Sequence, residues 1–365
     1  MTVWKRIGTI KLGTIPNGEN NMSVSILDVA KYAGVSKSTV SRVLTGGSVS
    51  EKAERAVMQA IKELNYYPNG IARGLRGASS QVIGVLGIDS HALFNKSLST
   101  RLAGINSILS QAGYSLLLIN SPQMELTEEF EKGIRFLEEK RVDGLILLGD
   151  MDDEVQKEKM KEYRPIVYTG ERVDIHKGFR VYMGNYQYSR DAYSYLLANG
   201  HKKILTVMVY HSSSDKMKER RWLAYQEMCR TYQLQDEPDD FLDLRDKKIC
   251  MPEKLAQAFQ LCADKKATAL FVDSVDFANS LINYFSERGL ELRKDYSVVA
   301  VERGVTAETK DALITAVSLP DFDYGRQCGQ LMMEVIRDQE LSYMDVSVPY
   351  TFEIRRSVRN ICGDS

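Results

Sequence analysis

The feature that most constrains the fold of this chain is a repeated alternation, after residue 81, of short apolar runs with amphipathic helical stretches. The apolar runs lie at 82–88, 115–120, 143–149, 204–209, 269–273 and 297–301. Helical periodicity fills two of the intervals, near 97–112 and 127–139. A continuous apolar run followed by a helix is typical of a parallel strand that is buried on both faces. The chain is therefore predicted to hold an α/β core of two doubly wound parallel-sheet lobes, with a ligand crevice at the carboxyl ends of the strands.

Length and composition exclude several classes of protein. With 365 residues, of which 44% are hydrophobic and 27% charged, the chain has the balance of a soluble globular protein with more than one domain. Its five cysteines show no Cys-x-x-Cys spacing, so the sequence predicts reduced thiols and no zinc or redox site. No apolar run reaches the ~18 residues of a membrane span, and the first residues lack the features of a secretory signal. We therefore expect a cytoplasmic protein that does not bind a membrane.

The segment 25–67 has helical periodicity at every turn and predicts three short helices, hence an all-α head before the α/β core. Ser25, with Asp28 three residues later, has the pattern of a capping box at the start of the first helix. Gly34 supplies a turn residue, and Ser36 supplies an N-cap hydroxyl for the second helix. A helix, a short turn with glycine and a second helix form the helix-turn-helix arrangement.

The second helix, over about 37–44, has a polar side that faces away from the small core. The spacing of its apolar residues turns five side chains outward, namely Lys37, Ser38, Thr39, Ser41 and Arg42. Hydroxyls and cations on such a face can donate to base edges and phosphates in a major groove. Residues 1–80 carry 11 Lys+Arg against 5 Asp+Glu, whereas the rest of the chain carries 37 against 44. A basic head on an acidic body predicts that the head binds a polyanion, here double-stranded DNA.

These segments also carry a specific resemblance. The stretch ILDVAKYAGVSKSTVSRVL at 26–44, with VSEKAERAV at 49–57 and ELNYYPN at 63–69, resembles the N-terminal domain of the lac repressor/galactose repressor (LacI/GalR) family of bacterial regulators. The region after residue 80 resembles, more diffusely, the periplasmic-binding-protein-like core of that family. The resemblance implies a sequence-specific DNA-binding transcription regulator, expected to be a repressor, that is associated with the nucleoid when bound to DNA.

Pattern and resemblance together divide the chain into four parts. They are a flexible N-terminal extension (1–21), a helix-turn-helix DNA-binding domain (22–68), a hinge helix or linker (69–80) and a two-lobed effector-binding and dimerisation core (81–365). The resemblance implies base and phosphate contacts by Lys37, Ser38, Thr39, Ser41 and Arg42. In the hinge it implies further DNA contacts by Asn69, Ala72 and Leu75, with the leucine acting as a wedge that opens the centre of the operator.

In the core, the resemblance implies an effector site between the lobes, with crossings of the chain near Asn185 and near Pro320. The effector-binding positions are Asn95, Arg221, Ser274 and Glu302. Arg221 matches an arginine that reads sugar hydroxyls in many family members. Other pocket positions depart from the family pattern, and Lys96 and Arg303 add positive charge there. The effector is expected to be a sugar, a sugar phosphate or a related metabolite.

Other functions remain open at this point. A solute-binding protein would need only the core, and a regulator with a degenerate pocket would be controlled by a protein partner. An enzyme is not expected, because the sequence has no Gly-x-Ser-x-Gly elbow, no phosphate-binding glycine loop and no paired metal ligands, and we expect no cofactor or metal. A two-fold operator predicts a homodimer. Because no heptad tail follows residue 360, we expect no coiled-coil tetramer.

Overall fold

The computed structural model describes most of the chain in segments. They are 24–44, 47–64, 66, 79–87, 96–119, 126–148, 165–170, 178–209, 216–235, 237, 240–246, 248–304, 313–338, 340–341 and 343–363. The predicted extension and four predicted site residues lie outside them, namely Asn69, Ala72, Leu75 and Asn95. The chain divides into two units, Met1–Arg73 and Gly74–Ser365, which are described separately.

Within the described residues of the head there are three helices: α1 (Ile26–Ala33), α2 (Lys37–Leu44) and α3 (Glu51–Glu63). The predicted capping box is present, because Ser25 Oγ accepts from Asp28 N at 3.4 Å and Asp28 Oδ2 accepts from Ser25 N at 2.8 Å. Gly34 ends α1 with φ 65°, a left-handed conformation that favours glycine. The buried core of the head consists of Val29, Ala30, Val40, Val57 and Ala60. The predicted helix-turn-helix is confirmed.

The first lobe of the core is built on a six-stranded parallel sheet. Its strands are β1 (Val82–Leu86), β2 (Ser115–Leu118), β3 (Gly144–Leu147), β4 (Ile166–Thr169), β5 (Gly178–Tyr182) and β11 (Tyr343–Ser347). They lie in the order β11-β5-β4-β3-β1-β2. Helices α4 (Lys96–Gln111) and α5 (Leu126–Glu138) follow β1 and β2 in the chain. The first three predicted apolar runs therefore form β1, β2 and β3.

The second lobe repeats this architecture. Its strands are β6 (Ile204–Met208), β7 (Phe241–Asp243), β8 (Ala269–Val272), β9 (Ser297–Glu302), β10 (Thr315–Ser318) and β12 (Thr351–Glu353), in the order β12-β10-β9-β8-β6-β7. All paired strands are parallel except β12, which runs antiparallel to β10. Its helices are α6 (Asn185–Ala198), α7 (Lys216–Thr231), α8 (Met251–Lys265) and α9 (Val275–Ser286). The predicted two-lobed α/β core is confirmed.

The chain crosses between the two sheets three times. It leaves the first sheet after β5 and enters the second lobe through α6, which begins at Asn185. It returns after β10 at Pro320, where α10 (Asp321–Arg337) packs on β3, β4, β5 and α4. A third crossing joins β11 to β12 through residues 348–350. The sequence did not reveal this crossing, because β11 and β12 lie at sheet edges and lack a continuous apolar run.

Helices α4 and α10 approach each other closely because two glycines face the opposite backbone. A Cβ atom at Gly325 would lie 2.0 Å from the carbonyl oxygen of Arg101, and one at Gly104 would lie 2.1 Å from that of Phe322. Backbone atoms in packed helices cannot move aside as the end of a side chain can. Neither position therefore accepts a larger residue without displacing a helix.

His201 joins the start of β6 to the C-terminal segment. The residue is 2% exposed, and its two ring nitrogens lie 3.1 Å from Thr268 Oγ1 and 3.0 Å from the carbonyl oxygen of Arg359. A carbonyl only accepts, so Nε2 donates to Arg359 and Nδ1 accepts from the Thr268 hydroxyl. This arrangement suits a neutral imidazole, and burial lowers the pKa of His201 below its ordinary value of 6.5.

We expect His201 to make the protein less stable in mild acid. Below about pH 6.5 the unfolded chain binds a proton at this histidine that the folded protein does not, so the free energy of unfolding falls as the pH falls. His201→Gln is expected to reduce this slope between about pH 6.5 and 5.5, although the variant is less stable overall. Urea unfolding of both proteins across this range measures the slope. Equal slopes would contradict the assignment.

Candidate DNA interface and effector site

The N-terminus of α2 is capped as predicted. Ser36 Oγ accepts from the backbone N–H of Thr39 at 3.1 Å. The same oxygen lies 2.7 Å from Ser38 Oγ and 2.9 Å from Thr39 Oγ1. These contacts satisfy a backbone donor of the first turn and hold the two hydroxyls beside the helix start.

The outer side of α2 presents the predicted DNA-contacting residues. Lys37, Ser38 and Arg42 are exposed, whereas Thr39 and Ser41 are half-buried. Residues four apart lie on the same side of a helix, so Ser38 neighbours Arg42 and Lys37 neighbours Ser41. The buried Val40 fixes the opposite side against the core of the head. The face thus consists of hydroxyls and cations on a helix that contains no acidic residue, and such groups are the donors that bind phosphates and base edges.

The segment immediately before β1 is fixed by one carboxylate. Asp143 accepts from the backbone N–H groups of Ser80 at 2.7 Å and Gln81 at 2.8 Å, and from Ser80 Oγ at 2.9 Å. The hydroxyl of Ser79 donates to the same carboxylate. Gln81 has φ 55°, a left-handed conformation that these bonds help to hold. The end of the predicted hinge is therefore attached to the start of β3.

Arg221 lies in a buried polar cluster at the carboxyl end of the second sheet. Its side chain is fully buried; Nη1 donates to Asp273 Oδ2 at 3.2 Å and Nη2 donates to Tyr188 OH at 2.8 Å. The second carboxylate oxygen of Asp273 accepts from Val209 N at 2.8 Å. Burial alone would lower the pKa of Arg221, but Tyr188 and Asp273 oppose this and hold that pKa above the ordinary arginine value. Arg221 is therefore a charged group with an internal counter-ion.

Ser274 follows Asp273 at the end of β8 and is half-buried. Its hydroxyl accepts from Phe277 N at 3.3 Å and so caps α9. Arg221 donates to Asp273, the residue that precedes Ser274. The structure therefore places two of the four predicted effector residues, Arg221 and Ser274, at the carboxyl end of β8.

Glu302 lies on the other face of the second sheet. It shares its side of β9 with Val298 and Ala300, which pack towards α8 and α9, whereas Phe271 and Asp273 face α6 and α7. Glu302 is 3% exposed and is held by Arg355, with Nη2 to Oε2 at 2.7 Å and Nη1 to Oε1 at 3.2 Å. The structure does not bring it together with Arg221.

The two cationic residues that the sequence analysis assigned to the effector pocket differ in exposure. Lys96, the first residue of α4, is exposed, whereas Arg303 is half-buried. An exposed lysine gives no support to an anion-binding pocket. The backbone of Gly304, next to Arg303, approaches α4 closely, because a Cβ atom at Gly304 would lie 2.8 Å from Lys96 C.

Asp321 joins the two lobes at the place where Gly304 lies close to α4. Its side chain is buried, Oδ1 accepts from Arg101 Nε on α4 at 2.6 Å, and Oδ2 accepts from Gly304 N in the second lobe at 2.6 Å. The Arg101 guanidinium also lies 4.8 Å from the ring centre of Tyr324. One carboxylate at the start of α10 thus joins both lobes.

Comparison with known proteins agrees with both units. The model of "Bacterial regulatory proteins, lacI family" matches residues 25–69, and "Periplasmic binding proteins and sugar binding domain of LacI family" matches residues 80–247. A "Periplasmic binding protein-like domain" matches residues 193–358. The chain belongs to the LacI family of bacterial regulatory proteins.

Individual relatives of this LacI-family chain are distant but span nearly its whole length. Catabolite control protein A of Priestia megaterium is 27% identical over 349 residues, covering 93% of this chain and 100% of the relative. The transcriptional regulator RegA of Clostridium saccharobutylicum is 29% identical over 324 residues, covering 88% and 95%. A crystal structure of the lac repressor dimer bound to operator and the anti-inducer ONPF has a TM-score of 0.75 at 24% identity, covering 92% and 98%.

As a LacI-family member, the protein is a DNA-binding transcriptional regulator and not an enzyme. The described residues contain no group of three or more side chains suited to a metal ion. Among these residues no helix has the length and apolar character needed to cross a membrane.

Sequence reasoning missed Asp273, Asp321 and Arg101. A signal for Asp273 was present, since an aspartate that directly ends a buried apolar strand requires a polar partner. Asp321 and Arg101 are 220 residues apart, and no local pattern links them.

Proposed function

We propose that the protein represses transcription as a homodimer that binds a pseudo-palindromic DNA operator, and that a small-molecule effector between the lobes of its core changes this affinity. The observation that carries the proposal is the exposed face of α2, which presents Lys37, Ser38 and Arg42 on a helix that contains no acidic residue. Two-fold DNA sites pair with two-fold proteins, and the lac repressor structure of similar fold is a dimer on its operator. The site of action is the bacterial cytoplasm, on the nucleoid.

Residues 69–80 are proposed as a hinge that contacts the operator through Asn69, Ala72 and Leu75. An apolar side chain inserted at a base step bends DNA from the minor groove, and Leu75 takes this role. The bonds from Ser80 and Gln81 to Asp143 support the proposal, because they attach the end of this segment to the first sheet.

The effector is proposed to bind at the carboxyl ends of the strands, near Arg221 and Ser274, with Asn95 as a further contact, whereas Glu302 lies on the opposite face of the sheet and is not included. A guanidinium suits paired hydroxyl oxygens of a carbohydrate-like metabolite. An effector that prefers one closure of the lobes biases pairing of the two hinges in the dimer, a coupling typically worth about 1–3 kcal/mol.

A second candidate is the same DNA-binding regulator controlled by a protein partner instead of a metabolite. The observation that favours it is that Arg221 and Glu302 already have internal ion-pair partners, Asp273 and Arg355. Calorimetric titration with a panel of sugars and metabolites separates the two. Heat of binding with a matching change in operator affinity supports an effector, and its absence across the panel supports a protein partner.

Selection of bound duplexes from a random library at moderate salt tests the main proposal. We expect a pseudo-palindromic site, bound more weakly by Leu75→Ala than by the unaltered protein. Lys37→Ala is expected to cost about 1–3 kcal/mol on that site and to relax the preference at one position of each half-site. The affinity for DNA is also measured as a function of salt concentration, because phosphate contacts alone give an affinity that does not depend on the base sequence.

Lys62→Ala is the matched control, because Lys62 is an equally charged, exposed residue on α3. It is expected to leave the base preference unchanged. No enrichment of any sequence would contradict the proposed operator binding. Loss of base preference in both lysine variants would contradict the role of α2.

A further inference from the structure

The charge of Arg221 is neutralised inside the protein. Its side chain is 0% exposed and that of Asp273 is 1% exposed, and their charged groups are 3.2 Å apart. The orientation of the guanidinium is fixed, because Nη2 donates to Tyr188 OH and the group lies 5.7 Å from the Tyr188 ring centre and 5.9 Å from that of Phe271. Nη1 and Nη2 are thus directed to protein acceptors.

The third nitrogen of this guanidinium, Nε, differs from Nη1 and Nη2. Among the described residues, the buried Nε–H of Arg221 has no hydrogen-bond acceptor. A buried donor without a partner is rare and is commonly explained by a ligand or a water molecule. The Nε–H is therefore available to an acceptor atom of a ligand, while Arg221 and Asp273 together carry no net charge.

We propose that Asp273 sets the charge selectivity of the effector site, so that the site accepts an uncharged ligand oxygen at Arg221 and rejects phosphate and carboxylate groups. An anion that reached Arg221 would come within a few Å of the Asp273 carboxylate. Like charges at such distances repel strongly in a buried site, where solvent screens them little. This inference rests on the proposed effector site and narrows its ligand class, since a sugar phosphate could not place its phosphate there.

Asp273→Asn tests the proposal because it removes the charge and nearly preserves the shape. The amide oxygen still accepts from Val209 N, while Arg221 is left without a counter-ion. A buried charge without a partner destabilises the fold, and a bound anion that neutralises it restores stability. The probe is inorganic phosphate, compared with chloride at equal ionic strength, and the readout is thermal unfolding.

Phosphate stabilises folded proteins in general and can bind the exposed cations of α2, so each variant is compared with the unaltered protein at the same phosphate concentration. Asp273→Asn should unfold at a lower temperature in chloride and regain several degrees with increasing phosphate, corresponding to phosphate binding at least about ten-fold tighter than in the unaltered protein. A phosphate stabilisation of the unaltered protein as large as that of Asp273→Asn would overturn the proposal. So would a folded Asp273→Asn protein that responds equally to both salts.

Two further variants keep the test decisive. Glu302→Gln removes the carboxylate of the other buried pair, but Arg355 keeps Glu353 at 2.8 Å, so its phosphate response is expected to equal that of the unaltered protein. Arg221→Gln combined with Asp273→Asn removes both charges and is expected to fold with a phosphate response no larger than that of the unaltered protein. The proposal is supported if Asp273→Asn is recovered folded only from phosphate buffer. It is contradicted if Asp273→Asn misfolds in both salts while the double variant folds in both.

The outcome is independent of the proposed regulatory function. Unfolding in phosphate does not require an operator, so failure of DNA binding would leave this result unchanged. Equally, a protein that binds its operator could still fail the phosphate test.

Discussion

Gly325→Ala is expected to destabilise the protein by about 3 kcal/mol or more, at the upper end of the cost of overpacking a core. The new methyl group would lie 2.0 Å from the carbonyl oxygen of Arg101 and 3.0 Å from Ile105 N, both backbone atoms of α4. The helices must therefore separate, and the buried residues around this contact lose their packing. In a solvent-exposed helix the same substitution would raise the free energy of unfolding by about 1 kcal/mol. A decrease in the free energy of unfolding would therefore by itself indicate the close contact of α4 and α10.

Urea unfolding of the Gly325→Ala protein measures this effect. Gly363→Ala is the control, because a Cβ atom at Gly363 meets nothing within 4 Å. It is expected to change the free energy of unfolding by no more than about 0.5 kcal/mol. Equal stability of the two variants would show that α4 and α10 do not pack as closely as described.

Asp321→Ala is expected to cost about 3 kcal/mol, because it removes the acceptor of one buried and one partly buried donor at once. Arg101 would lose its counter-ion while its side chain is only 17% exposed, and Gly304 N would lose its acceptor. The loss falls on the contact between lobes, so we also expect the operator affinity to respond differently to an effector. Asp321→Asn should be less severe, since an amide oxygen can still accept from one donor.

Asp323→Ala is the matched control on the same turn of α10. Asp323 pairs with Arg326 at 3.5 Å, and both side chains are largely exposed, so its loss should cost less than about 1 kcal/mol. Both residues lie in the first turn of the helix, which equalises their interaction with the helix dipole. Equal losses in the two alanine variants would mean that the bridge between lobes contributes no more than a surface ion pair.

The two largest expected effects both arise at the start of α10. Gly325 permits the close approach of α4, and Asp321 then ties α4 to the second lobe through Arg101 and Gly304. The contact that builds the first lobe is thus also the contact that joins it to the second. We expect a change in lobe closure to act on this contact, so the proposed effector binding would be coupled to the proposed hinge here.

The head and the central strands followed from the sequence because their causes are local. The capping box of Ser25 and Asp28 spans three residues, and the turn at Gly34 needs only one residue able to adopt a left-handed conformation. Strands such as β3 and β8 are buried on both faces, so each appears as a continuous apolar run. The family motif in the head likewise lies in one contiguous stretch.

Only the tertiary structure decided which charged side chains pair with each other when they lie far apart in the chain. Arg221 was predicted as a ligand contact, but that it faces Asp273, 52 residues away, depends on how α7 packs on β8. Glu302 was grouped with Arg221, yet the alternation of side chains along β9 places it on the opposite face with Arg355. The burial of apolar residues can be predicted from the local periodicity of the sequence. The pairing of buried charges depends on which elements contact each other in space, and the spacing of residues along the chain does not predict those contacts.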